Sequence, residues 1–324
     1  MKINRKHLAL LIVPVVIYAL WYLSGDVLFN FLCFKKENKQ ANVLILEGWL
    51  DKDELNYAEE LFIEGDYNII VTTGIKMPEF FRLWRNGDVV VQTDYKSSTS
   101  DSVNIIIEAF GERVRQENAK FSVFANDKLL GSRYATTKPL KYCFKTSEKE
   151  IDSVTIRFHN DKVFKNEDRN LLISYVSIND HTWPINRDNV CYYVHSHSGT
   201  VKYHLAQTKA NRIKKDLIYM GIEEQNILSV SINEFESSKT YENAQITVSK
   251  MDSLFGKRNY SVIIISRYPH TRRTYTAFLK CIKNKNKVGI TALEVYKNDK
   301  LLNRRLNNLR ELFGIVYIKF QINK

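Results

Sequence analysis

The chain is poor in cysteine. Its 324 residues hold four, Cys33, Cys143, Cys191 and Cys281, with no CxxC pair and no Cys/His spacing of the kind that holds zinc. They read as unpaired and say little about compartment. Also missing is a basic stripe interleaved with aromatic residues. Lys and Arg number 48 against 36 Asp and Glu, a net charge of +12, but the lysines are scattered among acids. A nucleic-acid partner would want a stacking platform along a cationic groove, so nucleic acid is set aside and the charge reads as a solvated surface. From about Asp88 to Ile185 helical periodicity is missing too. A disordered chain is excluded by a hydrophobic fraction of 44%, and the length suggests two domains.

Long uncharged runs are absent except at the start. Residues 8–24, "LALLIVPVVIYALWYLS", carry no charge, and apolar character continues to Phe34. A bilayer core of about 30 Å takes about 20 helical residues, which residues 8–32 supply, with Trp21 and Tyr22 near one boundary. The reading is a single membrane anchor over 1–35. A cleaved signal peptide is the alternative, but a small-residue A-x-A site is missing. Lys2, Arg5 and Lys6 precede the run and Lys35, Lys36 and Lys39 follow it, so the positive-inside count is nearly balanced. An N-terminus inside, with the bulk of the chain extracytoplasmic, is the expected topology.

Beyond the anchor, "NVLIL" reads as a strand, "DKDELNYAEELFIEG" as a helix and "YNIIVTTG" as a second strand. Strand, helix, strand with short links implies a parallel sheet. Short alternating runs such as "VNIIIEAFG", "AKFSVFAND" and "SVTIRFHND" follow at regular spacing, the signature of a β-sandwich. Alternation of helix and strand resumes at "VCYYVH". The expected architecture is α/β, a discontinuous domain over 42–80 and 188–324, split by an inserted sandwich over 84–186.

Ligands of open parallel sheets bind at the C-terminal strand ends. Here those ends carry Glu47-Gly48-Trp49, Thr72-Thr73-Gly74, "ESSKTYEN" and "SRYPHTRR". Glycines allow close backbone approach, and a helix start attracts anions. His270, Arg272 and Arg273 add cations to such a start, which makes sense if a phosphate or carboxylate is held there. The blocks "VLILEGW", "IIVTTG", "SSKTYENA" and "VIIISRYPHTRR" resemble, in order, those of YdcF/SanA/ElyC-like proteins. That resemblance covers about 42–78 and 190–322. It implies a Rossmann-like parallel sheet, an exported domain active in the cell envelope, and a nucleotide-type ligand. By motif it carries over Glu47, Gly48, Gly74, Thr240, Glu242, Asn243, Ser266, His270 and Arg273. The chain departs from the family in having one glycine where many members have two, at Gly48 and at Gly74. In an enzyme, Arg272 and Arg273 would neutralise the ligand, His270 would act as general acid or base, and Glu47 would orient or deprotonate a nucleophile. Plainer readings stand beside these: a helix cap and hydrogen bond for Thr240 and Asn243, a structural carboxylate for Glu47, a surface hydrogen bond for His270. His195 and His197 would share one strand face as metal ligands do, without a third ligand nearby in sequence.

The insert has its own likeness. "FHND", then "DRNL", with the "SVFANDKLLGS" hairpin, resembles calcium-dependent xylan-binding carbohydrate modules over about 88–182. These are sandwiches that hold a sugar through bound calcium, which takes six to eight oxygen ligands. Asn160, Asp161 and Asp168 flank one loop and are the expected metal ligands, although Asn- and Asp-rich turns also form for conformational reasons. The expected function is recognition, and in an enzyme version modification, of a polysaccharide or phosphate-bearing glycan-lipid. The alternatives are a non-catalytic, calcium-dependent glycan binder with the α/β domain as scaffold, and an inward-facing nucleotide-binding regulator.

Overall fold

The computed structural model describes residues 18, 22, 25–97, 102–165, 167–187, 189–196, 198–232, 239–256, 259–293 and 301–320. Two compact units divide the chain, one within 1–75 and 217–324 and the other within 76–216.

In the first unit a short helix α1 (Asp26–Leu32) precedes β1 (Val43–Glu47), α2 (Lys52–Glu64) and β2 (Ile69–Ile75). The second unit contributes β3 (Phe81–Leu83), β4 (Gly87–Lys96), β5 (Val103–Gly111), β6 (Lys120–Ala125), β7 (Lys128–Tyr134), β8 (Leu140–Thr146) and β9 (Glu150–Phe158). It goes on with β10 (Lys162–Phe164), β11 (Glu167–Arg169), β12 (Leu171–Ile178), β13 (His181–Pro184), β14 (Val190–Ser196) and β15 (Gly199–His204). Helix α3 (Lys209–Met220) contains the boundary between the units. The chain finishes the first unit with β16 (Ile227–Ile232), α4 (Lys239–Phe255), β17 (Val262–Arg267), α5 (Thr271–Ile282), β18 (Val288–Leu293) and α6 (Leu301–Phe320).

The first unit is built on a five-stranded sheet ordered β16-β2-β1-β17-β18, every pair parallel. Its strands are apolar on both faces because helices cover them: β1 is buried along its whole length. Register sets the site. Leu46 pairs with Thr72 on one side and Ile265 on the other, and Glu47 pairs with Thr73. Glu47, Thr73 and Ser266 therefore end neighbouring strands at one edge.

The second unit is two antiparallel sheets, β13-β12-β5-β8 with β3 on β12, and β15-β14-β4-β9-β6-β7, with β10 and β11 as a separate hairpin. Strand β5 buries every second residue, and β9 does so from Val154 to Phe158, the period a half-buried sheet requires. Ile105, Ile107, Phe121, Ile156 and Phe158 share that core.

Three expectations change. Strand residues outweigh helical ones over the chain, 43% against 32%, so α/β does not describe it as a whole. Among the described residues the second unit alone brings 13 strands, β3 to β15. Strand β14, expected in the parallel-sheet domain, belongs with β15 to the sandwich, where it pairs antiparallel with β15 and β4. A strand's sequence announces its burial but not its partner. Finally, no helix among the described residues is long and apolar enough to cross a membrane, and the N-terminal transmembrane helix is not supported. Most of the expected span, 8–32, lies outside the described residues. Its described end is α1, where Leu32 is fully buried and its carbonyl accepts a hydrogen bond from Thr271 Oγ1 at 2.8 Å. Nearby Phe29 and Phe34 meet the rings of Tyr268 and Tyr275. Here the apolar stretch packs on protein.

Candidate functional site

At the edge of the parallel sheet the structure gathers Glu47, Ser266, His270 and Arg273 with two residues that the sequence did not single out, Thr274 and Glu311. Glu47 is 1% exposed. Thr274 Oγ1 donates to its Oε1 at 2.9 Å, and His270 Nε2 stands 3.9 Å from that oxygen. The second oxygen, Oε2, is buried without a hydrogen-bond partner, as is Ser266 Oγ. Ser266 is near enough to favour the charged carboxylate, yet closes no bond of normal geometry. Burial is the dominant effect and pushes the Glu47 carboxyl up, against the pull of His270, Ser266, Thr274 and Arg273.

Glu311, on α6, receives His270 Nδ1 at 2.8 Å and lies 3.1 Å from Arg273 Nε. Burial raises its carboxyl, but His270 and Arg273 outweigh that and hold it below the usual range. His270 Nδ1 thus points at a carboxylate, and Nε2 faces Glu47 and, at 3.4 Å, Arg273 Nη2. Trp49 sets its ring edge-on to the imidazole at 4.8 Å. Gly314 makes room: a Cβ there would lie 2.5 Å from Arg273 Cδ. The only acid on α6 is Glu311, and that was the available sequence signal. Its distance of 41 residues from His270 kept the pairing out of sight.

The opposite pKa directions of the two glutamates give a pH test. A carboxyl raised in the folded state binds more protons there, so its contribution to stability falls as pH climbs from the ordinary carboxylate range through its folded pKa. A lowered one contributes above the ordinary range and is lost as pH falls through its folded pKa. Glu47→Gln should therefore gain on the parent as pH rises, and Glu311→Gln should lose. Urea unfolding from about pH 3 to pH 8 reads this, the Glu311 effect at the acid end and the Glu47 effect above it, and parallel slopes for the two variants would sink the assignment.

The remaining expected residues fall elsewhere. Arg272 donates to the Phe31 carbonyl and lies over the rings of Phe31 and Phe34, 4.0 and 4.5 Å from their centroids. It does not face the site. Arg273 is opposed by Glu311, so neither arginine is arranged as expected for holding a phosphate, and a nucleotide ligand finds no support. Asn243 bonds Thr73 Oγ1, which also contacts Thr247 Oγ1 at 2.8 Å; with Thr240 it is buried and ties α4 to β2. Glu242 is half-buried beside them. Gly48 is buried in the turn after β1, and Gly74 lies within β2, opposite Ser231. Residues 233–238 of the "ESSKTYEN" loop lie outside the described residues. In place of Arg272, Arg267 anchors the strand end: it pairs with Asp51 at 2.6 Å and with both oxygens of Glu54.

In the sandwich, the expected calcium ligands divide. Asn160 is fully engaged. Its Oδ1 accepts from Lys120 N at 2.7 Å, and its Nδ2 donates to Glu117 Oε1 and the Asn118 carbonyl. Asp161 differs. Its amide is held by Asn86 Oδ1 at 2.7 Å, but its own Oδ1 is buried with no partner. Burial, followed by repulsion from Asp168, pushes the Asp161 carboxyl up. Two carboxylates repelling one another, one with a buried unpaired oxygen, fit a cation. Among the described residues no three His, Cys, Asp or Glu side chains form a metal-holding group, so a calcium ion here would take most of its oxygens from carbonyls, amides, water or ligand. His195 pairs with Asp88 at 3.2 Å, and His197 lies outside the described residues.

Comparison with known proteins bears on this second site. Residues 104–192 match CBM60, the calcium-dependent, xylan-binding carbohydrate-binding module. A CBM60 module is present. No curated protein matches the chain. Among solved structures, the chain is similar to vCBM60 in complex with galactobiose, at 18% identity over 32% of this chain and 88% of that one, TM-score 0.25. It is also similar to a family two carbohydrate esterase from Cellvibrio japonicus, at 8% identity over 76% and 94%, TM-score 0.23. A third likeness is to an acetyl xylan esterase, Est2A, from the rumen bacterium Butyrivibrio proteoclasticus, at 10% identity over 77% and 95%, TM-score 0.24. At such TM-scores none of the three bears on this chain's chemistry.

Proposed function

We propose that the chain binds a xylan-type polysaccharide through calcium held by Asp161 and Asp168 of its CBM60 module, outside the cytoplasm where such glycans lie. The observation that carries the reading is the buried, unpartnered Oδ1 of Asp161 beside the Asp168 carboxylate. Calcium supplies a centre that takes neutral sugar hydroxyls as ligands. The residues' share is to hold that centre: Asn86 fixes the Asp161 backbone, and Asn160 fixes the loop. Affinity electrophoresis of the full chain in xylan gels should show retardation with calcium and none after chelation with EDTA. Equal retardation in both would overturn the reading.

A second reading concerns the parallel-sheet site, supported by the unpartnered Glu47 Oε2 and Ser266 Oγ and by the His270–Glu311 pair. It extends the resemblance to YdcF/SanA/ElyC-like proteins from binding to modification of the glycan. Glu311 holds the imidazole so that Nε2 can take a proton, and Glu47, whose carboxyl burial pushes up, is suited to exchange one. Mass spectrometry of xylan-type oligosaccharides incubated with the full chain tests it. A mass change that disappears in His270→Gln supports modification, and unchanged masses reject it.

A further inference from the structure

Helix α6 presents an unusual outer face. Asn308, Glu311, Ile315 and Ile318 are buried, at a spacing that turns one stripe inward. The opposite stripe should be polar in a helix that merely meets water. Instead Leu306, Phe313, Val316, Tyr317 and Phe320 are exposed, Phe313 at 69% and Phe320 at 82%, and Phe31 of the neighbouring α1 adds another exposed ring at 45%. The charges on this helix are one-sided. Arg304, Arg305, Arg310 and Lys319 are its cations and Glu311 its only acid. That acid is turned inward against His270 and Arg273. Arg310 is exposed near Phe313, and Lys319 is exposed beside Phe320.

Aromatic and aliphatic side chains on an exposed stripe, flanked mainly by cations (Asp26 of α1 is paired with Arg304 at 3.0 Å), fit a helix that lies in the plane of an anionic lipid surface. We infer that the α6 face, with Phe31, adsorbs to the interface of an anionic bilayer: the rings enter the headgroup boundary, and Arg310 and Lys319 meet lipid phosphates. This is adsorption, with no span implied. It is independent of the glycan reading, since it uses neither Asp161 nor the Glu47 site.

Flotation of the full chain with vesicles tests it, comparing equimolar phosphatidylglycerol and phosphatidylcholine with phosphatidylcholine alone. The parent should float preferentially with the anionic vesicles, less so at high salt. The doublet Phe313→Glu with Phe320→Glu should weaken partitioning by about tenfold or more. Arg310→Glu with Lys319→Glu should remove the preference for anionic lipid. Both doublets alter exposed side chains, and an unchanged melting temperature with calcium-dependent xylan retardation shows that they fold. Doublets that float like the parent would overturn the proposal, leaving any lipid affinity to another part of the chain. A face doublet that instead converts a dimer to a monomer without lipid would also overturn it, in favour of contact between two copies.

Discussion

Asp161→Asn should remove the proposed calcium-dependent glycan binding while the sandwich stays folded. Its carboxyl already sits in an unfavourable state, with one oxygen buried and unpaired and Asp168 repelling it. Asparagine keeps the shape and one acceptor oxygen, and it relieves the repulsion. Melting temperature should therefore hold or rise slightly. The loss is in charge: calcium affinity follows the number of carboxylates offered. Removal of one of two should cost at least the roughly 10–100-fold that loss of an outer partner costs in other metal sites. Calorimetric titration with calcium reads the first effect, and retardation in xylan gels the second. Asp168→Asn should act in the same direction. Asn160→Ala should act differently: its side chain holds Lys120 and Glu117, so it should lower stability more than calcium affinity. If Asp161→Asn binds calcium and xylan like the parent, Asp161 is no ligand and its unpaired oxygen needs another account.

What could be read from the sequence follows from the range of the signal. The runs "VLIL" and "VIIIS" are continuous and buried, so a parallel sheet could be read from them, and Glu47, Ser266 and His270 do lie together at its edge. Alternation in "VNIIIEAFG" equally announced a sandwich. Which sheet takes a strand is a tertiary matter, and "VCYYVH" was assigned to the wrong one for that reason. Arg272 and Arg273 show a second limit. Neighbours on a helix point about 100° apart, so one reaches Glu311 and the other the rings of Phe31 and Phe34; the motif "HTRR" alone does not say which. Glu311 itself depended on the packing of α6 against α5, beyond any local pattern. In the loop expected to hold calcium, residue type marked Asn160 and Asp161 alike, and only the hydrogen bonds separate the residue that holds the loop from the one with a buried unpaired oxygen.

Arg169→Ala should destabilise the sandwich by roughly 3 kcal/mol. Arg169 lies between Asp168 and Asn170 in "DRNL", yet it is 2% exposed. Its guanidinium donates to the carbonyls of Val114 at 2.9 Å, Glu117 at 3.2 Å and Asn160 at 2.8 Å. It also meets Glu117 Oε2 at 2.8 Å, but that carboxylate is half exposed and contributes little through screened charge. The carbonyls decide the cost. A buried acceptor left without a donor costs about 1–3 kcal/mol. Only the Arg169–Val114 bond is wholly buried, and water can reach the other two carbonyls, which sets the sum near its lower bound. For a unit of this size that lowers the melting temperature by roughly 10 °C. Lysine restores a charge but not the planar fork that serves three carbonyls at once, so Arg169→Lys should recover only part. Because one of those carbonyls belongs to Asn160, beside Asp161, the alanine variant should also loosen the calcium loop. Calcium affinity measured well below the lowered melting temperature should then fall, with the parent's value partly regained in Arg169→Lys. A calcium affinity unmoved in a folded Arg169→Ala variant would show that the clamp serves the fold alone.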